Sequence, residues 1–483
     1  MAPGSWPSWT VRVATSGSVD DGKSTLIGRM LLEAKQAPDD EMEALAGLGE
    51  GAGLAAFTDG LREERERGIT IDVAYRSFAT PRRRFLLADA PGHVELTRNA
   101  VTALSTADVA IVLVDATNGV VDQTRRHAVL ASLLRVPHLV VCVNKMDLAG
   151  YDRAVFERVR QEFEEMSERL DMPDVAFIPV SALVGDNVTQ RSSEMPWYEG
   201  APLVAHLEDL HTSSDRNLVD LRAWVERPIA GLPVAGGAGG GVVSRDLPGC
   251  AVRVASGVLR PGDDLVVLAP GGRTAGGEGV GGEGVGGEGV GGGGAGGGGA
   301  GGEGAGNLLH VEAMYAPGGR LVSEASPPSS VLLALGEPPT QPPTYRPGRS
   351  EGRPPARPVP LPRGALLCRP RNKPAGTRHL DAMAFWIAAS PLVPGERFAL
   401  LHGTRWVDVT VSGVLYRLDV TTLHRDQQVA SLVANDIGRV SLVADEPVWA
   451  DEYSRCKPTG SAILAHKESG ATVAALTFRS GGT

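Results

Sequence analysis

The stretch that decides the fold is Gly17-Ser18-Val19-Asp20-Asp21-Gly22-Lys23-Ser24, which leaves an apolar run at residues 11–15 and enters the helix-compatible TLIGRMLLEAK at 25–35. It is a G-x-x-x-x-G-K-[ST] loop in the strand–loop–helix setting that gives the pattern its meaning. Its glycines let backbone N–H groups face phosphate oxygens, and the start of the following helix adds a favourable dipole. Lys23 then stands to reach β- and γ-phosphates, and the Ser24 hydroxyl to hold Mg²⁺.

Working outward, further apolar runs at 85–88, 109–114, 139–143 and 177–180 alternate with helical patterns, and each ends in a polar or glycine-rich segment. That alternation predicts a parallel sheet flanked by helices over residues 1–212. Ligands of open α/β sheets bind beyond the carboxyl ends of the strands, so the chemistry is sought in those segments. Gly68-Ile69-Thr70-Ile71 and Asp89-Ala90-Pro91-Gly92-His93 follow the first loop in order. Asp89 closes an apolar strand, where a carboxylate can hold Mg²⁺ through water. The Gly92 N–H can approach a γ-phosphate, and Thr70 is placed to complete the metal shell.

Asn144-Lys145-Met146-Asp147, directly after the run at 139–143, sets the base. Asp147 can accept from guanine N1–H and the 2-amino group, a pair adenine does not present. A site built on such buried bonds rejects the analogue lacking them by roughly 10⁴-fold. Lys145 is expected over the base, and Ser181-Ala182 beside the guanine oxygen. The expected ligand is GTP, with Mg²⁺, rather than ATP.

A chain of 483 residues, 42% of them hydrophobic, calls for two to four soluble domains. Lys plus Arg total 47 against 57 Asp plus Glu, and the net charge of -10 argues against broad nucleic-acid binding. The opening MAPGSWPSWTVRVATSG reads as neither a signal peptide nor a membrane span, so no membrane association is expected and the cytoplasm is the expected location. Cys142, Cys250, Cys368 and Cys456 lie far apart without metal-ligand spacing, and Cys142, within an apolar run, reads as a small buried hydrophobe.

Beyond residue 212 the texture changes. Short alternating runs at 252–254, 265–268 and 330–335, broken by Gly and Pro, predict a small β-barrel or sandwich over 213–375. A second set at 385–388, 397–401, 406–411, 414–417 and 439–444 predicts another β domain over 376–483. Two inserts interrupt the first β domain. A five-residue glycine-rich repeat at 276–306 has the composition of a flexible coil, and a proline- and arginine-dense segment at 327–363 that of a stiffer spacer. Both are tolerable at a surface, because closing a loop costs only about 0.6 kcal/mol more per doubling of its length.

GSVDDGKSTLIGRML (17–31), DGLREERERGITIDVAYRSF (59–78), DAPGHVELTRNAVTALSTADVAIVLVDATNGVVDQTRRH (89–127) and VNKMDLAGYD (143–152) together resemble the large, GTPase subunit of bacterial sulfate adenylyltransferase. SALVGDNVTQRSSEMPWYEGAPL (181–203) does so as well, and its NV…S…MPWY stretch is more particular than any nucleotide motif. The resemblance continues through RPGDDLVVL (260–268), SPLVPGERFALLHGTRWVDVTVSGVLYRLDV (390–420) and ANDIGRVSLVADEPVWADEY (434–453).

The resemblance implies a translation-factor-like layout, an α/β P-loop GTPase domain followed by two small β-barrels. It implies a small partner subunit of the ATP-pyrophosphatase type that joins ATP and sulfate into adenosine 5′-phosphosulfate, with GTP hydrolysis on the large subunit coupled to that unfavourable step. Carried over by motif, Gly17, Asp21, Gly22, Lys23, Ser24 and Thr25 are phosphate-loop positions. Thr70, Asp89 and Gly92 sense the γ-phosphate and Mg²⁺, while Asn144, Lys145, Asp147, Ser181 and Ala182 belong to the base site. His93 matches the histidine that orients the attacking water in related translation GTPases, so His93, Thr70 and Lys23 are the expected catalytic set.

Three departures stand out. Ala90 replaces a usual Thr, the stretch 228–259 keeps only part of the family's strand pattern, and the proline segment replaces an acid-rich one. These bear on partner docking and coupling rather than on GTP binding. No second G-x-x-x-x-G-K-[ST] occurs, so adenylylsulfate kinase activity is not expected. The same layout also fits a GTPase that binds RNA or the ribosome. Against that stand Asp21, where translation factors usually carry His, the MPWY segment and the acidic balance. A homologue dedicated to a specialised sulfur pathway stays open as well.

Overall fold

The computed structural model describes residues 10–34, 54, 73–90, 97–172, 174–212, 215–229, 232–235, 242–245, 249–269, 308–336 and 361–479. Thr70, Gly92 and His93, the glycine-rich insert and residues 337–360 of the proline segment lie outside the described residues.

In chain order the first domain runs β1 (Thr10–Gly17), α1 (Lys23–Glu33), β2 (Ala74–Ala79), β3 (Arg84–Asp89), α2 (Thr97–Ser105), β4 (Val109–Asp115), α3 (Asp122–Leu133), β5 (His138–Asn144), α4 (Arg153–Ser167), β6 (Val175–Pro179) and α5 (Leu203–Asp209). The sheet order is β2-β3-β1-β4-β5-β6. Five strands are parallel, and β2 is an antiparallel edge. Central β4 is buried at every position, which explains its unbroken apolar reading. Edge β2, AYRSFA, has no apolar alternation in its six residues and only Phe78 fully buried, too weak a signal to be read beforehand.

The amphipathic α1 sends Leu26, Ile27 and Met30, and α5 sends Leu203 and Leu207, into a core with Val11, Val13, Phe85 and Leu87. Each such buried side chain contributes about 2 kcal/mol. Phe78 of β2 stacks on Phe85 at 4.7 Å between ring centroids, fixing the edge strand to its neighbour. The parallel register sets Thr15 opposite Asp89 and Asp115 opposite Asn144, so the strands' carboxyl ends form one rim.

The next domain comprises β7 (Arg222–Ile229), β8 (Leu232–Ala235), β9 (Val242–Arg245), β10 (Gly249–Ser256), β11 (Asp264–Leu268), β12 (Leu308–Tyr315), β13 (Ser329–Gly336) and β14 (Leu366–Cys368). Six of them close as β10-β13-β12-β11-β14-β7, a barrel rather than a sandwich, while β8 and β9 pair separately. Alternate residues fill the interior, among them Val225, Cys250, Val252, Val254, Leu265, Val267, Leu309 and Val311. The stretch 228–259 therefore keeps what closure requires, since β10 pairs with both β7 and β13. The alternating run at 330–335 is barrel strand β13, so the proline-dense insert does not begin at 327 as its composition suggested. The strand's SSVLLALG pattern carries core side chains that outweigh the flanking prolines.

The last domain has β15 (Ala375–Trp386), β16 (Arg397–His402), β17 (Arg405–Leu418), β18 (Arg425–Asp426), β19 (Ile437–Ala450), β20 (Ser461–Ala465) and β21 (Thr472–Phe478). Their order is β16-β20-β21-β15-β19-β17-β18, and an added β16–β17 pairing closes six of them into a second barrel. The runs at 406–411 and 414–417 are one strand, β17, passing through Ser412 and Gly413. Strand β15 begins well before residue 385, because its polar opening, AGTRH, belongs to the strand without being deeply buried. An α/β P-loop domain followed by two β-barrels is the resulting architecture. All four cysteines are buried and unpaired, Cys142 completely so.

Candidate nucleotide-binding site

At the rim, the loop from β1 to α1 takes its shape from two left-handed glycines, Gly17 (φ +143°) and Gly22 (φ +92°). A Cβ on Gly17 would lie 2.8 Å from the Leu113 carbonyl oxygen, and one on Gly22 would lie 2.5 Å from Asn144 Nδ2. No other residue fits either position. The Ser18 N–H donates to the Asp21 carboxylate at 2.6 Å, bracing the loop across its own mouth. Lys23 Nζ donates to the carbonyls of Gly17 (3.2 Å) and Ser18 (2.6 Å), so the lysine lies along the loop. Gly22 caps α1 without a side chain, and Thr25 follows half-buried in the first turn.

The charges here are desolvated. Burial pushes the Asp21 carboxyl up to about 6, against the opposing pull of Lys23 and the Ser18 N–H. Burial lowers the Lys23 ammonium, with Asp89 and Asp21 acting to raise it. Asp89 is fixed by two hydroxyl donors, Thr15 Oγ1 at 2.8 Å to Oδ1 and Ser24 Oγ at 2.9 Å to Oδ2. A carboxylate and a hydroxyl in contact are the hard oxygen donors that suit Mg²⁺.

The base side is built by the loops after β5 and β6. Asn144, almost fully buried, donates Nδ2 to the Asp21 carbonyl at 2.7 Å and accepts the Ala182 N–H at 2.9 Å. One amide therefore ties the phosphate loop to the base loop. Ser181 Oγ donates to Asp147 Oδ1 at 2.6 Å, orienting that carboxylate. Lys145 sits in a left-handed turn (φ +60°), and its Nζ pairs with Asp115 Oδ2 at 2.8 Å. Asp115 also accepts from the Thr117 N–H (2.8 Å) and Thr117 Oγ1 (2.6 Å). Burial pushes the Asp115 carboxyl up, but Lys145 and Thr117 outweigh it and hold the group below the usual carboxylate range.

Gly17, Asp21, Gly22, Lys23, Ser24, Thr25 and Asp89 thus form one cluster, and Asn144, Lys145, Asp147, Ser181 and Ala182 a second. Asn144 joins the two. Reasoning from the sequence passed over Thr15 and Asp115. The signal for Asp115 was there, a carboxylate closing the apolar run at 109–114, but its partner Lys145 is thirty residues away.

Residues 9–221 match the family described as Elongation factor Tu GTP binding domain, and residues 379–476 match GTP-eEF1A C-terminal domain-like. Sulfate adenylyltransferase subunit 1 of Laribacter hongkongensis is 36% identical over 481 residues, covering 97% of this chain and 85% of that protein. The chain belongs to the sulfate adenylyltransferase subunit 1 family. The bifunctional enzyme CysN/CysC of Mycobacterium tuberculosis (strain CDC 1551 / Oshkosh) is 42% identical over 474 residues, 96% of this chain and 66% of that protein. Its counterpart in Rhodopirellula baltica is 36% identical over 477 residues, 96% of this chain and 63% of that protein. The chain therefore spans about two thirds of the length of these bifunctional relatives, and the N-terminal family match covers every described residue of the nucleotide site. Among the described residues no helix is long and apolar enough to cross a membrane.

Proposed function

We propose that this chain binds GTP with Mg²⁺ at the rim of its α/β domain and is the GTPase subunit of a sulfate adenylyltransferase. Its hydrolysis then drives adenosine 5′-phosphosulfate formation from ATP and sulfate on a small partner subunit of the ATP-pyrophosphatase type. The observation that carries the reading is Asn144. Its buried amide bonds a phosphate-loop residue and a base-loop residue at once, as a site for a whole nucleoside triphosphate needs. Family membership supplies the reaction.

In this reading the Gly17–Ser24 loop wraps the phosphates and Lys23 neutralises the β- and γ-phosphates. Ser24 and Asp89, with Thr70, hold Mg²⁺, which supplies charge neutralisation at the phosphates. Gly92 senses the γ-phosphate through its backbone, and His93 orients water in line with it without acting as a strong base. Asp147 reads guanine N1–H and the 2-amino group, Lys145 covers the base from its tether on Asp115, and Ser181 and Ala182 flank the guanine oxygen.

The test is co-expression with the small subunit, followed by assay of pyrophosphate release. Release is expected to need ATP and sulfate together and to rise with GTP. Lys23→Ala is expected to abolish GTP binding and with it the stimulation. Failure of the purified chain to prefer guanosine over adenosine triphosphate refutes the proposal.

A further inference from the structure

The segment at 186–198 follows the base loop, and nothing in the nucleotide chemistry above calls for it. It is nonetheless bonded to both loops of the base side, those after β5 and β6. The Asp186 carboxylate accepts Ser192 Oγ at 2.6 Å through Oδ1 and the Tyr151 hydroxyl at 3.0 Å through Oδ2, while its carbonyl accepts the Ser181 N–H at 3.1 Å. Asn187, fully buried in a left-handed turn (φ +55°), donates to the Pro179 carbonyl at 3.0 Å and accepts the Ser192 N–H at 2.9 Å. Trp197 Nε1 donates to the Tyr151 carbonyl at 3.0 Å, and its ring packs on Phe156 of α4 at 5.5 Å. Tyr151 in turn closes the loop that begins with Asp147, its N–H bonding the Met146 carbonyl at 2.8 Å.

A second arm reaches α1, the helix that follows the phosphate loop. Arg29 on α1 donates Nε to the Ala182 carbonyl at 3.2 Å and also bonds the Leu183 carbonyl, while Glu33 on the same helix bonds the Thr189 hydroxyl. The base loop is thus held from below by α1 and from outside by the 186–198 segment.

We infer that Asp186 is a positioning residue for base selection, fixing the Asp147 carboxylate and the Ser181–Ala182 loop at the spacing guanine requires. This rests on the reading of Asp147 as the guanine-selecting carboxylate. The two loops leave different strands; the Asn144–Ala182 bond and the bond from the Met146 N–H to the Val180 carbonyl join them near the strands, and the Ser181 Oγ–Asp147 bond joins the two site residues themselves. The Asp186 carboxylate holds the Tyr151 hydroxyl on one side, and its bond to Ser192 Oγ steadies the residue whose backbone carbonyl accepts the Ser181 N–H on the other, so the tips have less freedom to part. A bidentate contact to a base edge needs that restraint, because a loop that drifts loses both bonds together. A phosphate contact tolerates such drift.

The experiment titrates GTP and ITP, which lacks the 2-amino group, against the full chain and its Asp186→Ala and Tyr151→Phe variants. The chain is expected to bind GTP more tightly than ITP. Asp186→Ala is expected to cut that ratio about tenfold, the scale of one lost hydrogen bond, because GTP then loses both contacts to Asp147 while ITP, which offers only N1–H, loses one. Tyr151→Phe, which removes only a hydroxyl and serves if the alanine variant misfolds, is expected to cut it about threefold. Added to Asp147→Ala, Asp186→Ala is expected to change nothing further. A folded Asp186→Ala that weakens GTP and ITP equally, or an unchanged ratio in both variants, overturns the inference and leaves the GTP reading intact. Absence of any GTP preference in the unaltered chain overturns the GTP reading itself, and this inference with it.

Discussion

Gly22→Ala tests whether the phosphate loop and the base loop are one mechanical unit. Gly22 has φ +92°, and an added Cβ would stand 2.5 Å from Asn144 Nδ2. A left-handed alanine costs about 1–2 kcal/mol. The Asn144 amide must also move, and it forfeits its bonds to the Asp21 carbonyl and the Ala182 N–H, about 1 kcal/mol each net. The free chain can shed much of this by shifting the loop, so the cost falls on the bound state, where the loop must take its native shape. Together these come to about 3 kcal/mol, on the order of 150-fold weaker GTP binding. Fluorescent GTP-analogue titration with calorimetric confirmation measures it. The same change in an Asn144→Ala background is expected to cost only about tenfold, since backbone strain alone remains. Binding within threefold of the parent, or equal losses in both backgrounds, refutes the coupling through Asn144.

Asp147→Asn is expected to turn preference from GTP toward XTP, because an amide can donate to the 2-oxo group that replaces the amine; competition titration reads it, and no gain for XTP removes Asp147 from the base site. Asp21→Asn is expected to stabilise the chain above pH 6. The Asp21 carboxyl titrates near 6 in the fold against an ordinary 3.8, so the fold disfavours its ionised form. That penalty is absent below pH 4, grows between 4 and 6, and reaches about 3 kcal/mol above it. Urea unfolding of parent and variant at pH 4.5 and 7.5 should show a gap of about 1 kcal/mol at the lower pH and about 3 kcal/mol at the higher; an equal gap at both contradicts the assignment. Asp451→Ala should strand Arg222, which is fully buried and donates to Asp451 at 2.7 and 2.8 Å. Removing one partner of such a pair costs about 3–5 kcal/mol, read as a lower unfolding midpoint, and a loss under about 1 kcal/mol shows that the network is not needed.

Much of the α/β domain was legible because its strands are buried on both faces. Parallel strands such as β4 and β5 are apolar between their ends, and the loops that follow them carry the residue types of phosphate- and base-binding motifs. The barrels were harder to read. Strands β20 and β21 and the polar opening of β15 show weak alternation, because a barrel strand needs only its inward residues to be apolar. The run at 330–335 was legible as a strand, but the prolines on both sides of it drew the insert's boundary too early, at 327.

The sequence by itself determined the family and pointed to the residues proposed to meet the nucleotide. Gly17, Lys23, Asp89 and Asp147 lie in short motifs whose chemistry is local, so spacing along the chain is enough to recognise them. Tertiary structure alone decided what holds those residues in place. Asp115 beneath Lys145, Thr15 beside Asp89, Asn144 between two loops and Asp186 between two more are pairings across 30 to 123 residues of chain. Such contacts leave no periodic trace, because sheet register and loop closure, not local sequence, bring their partners together.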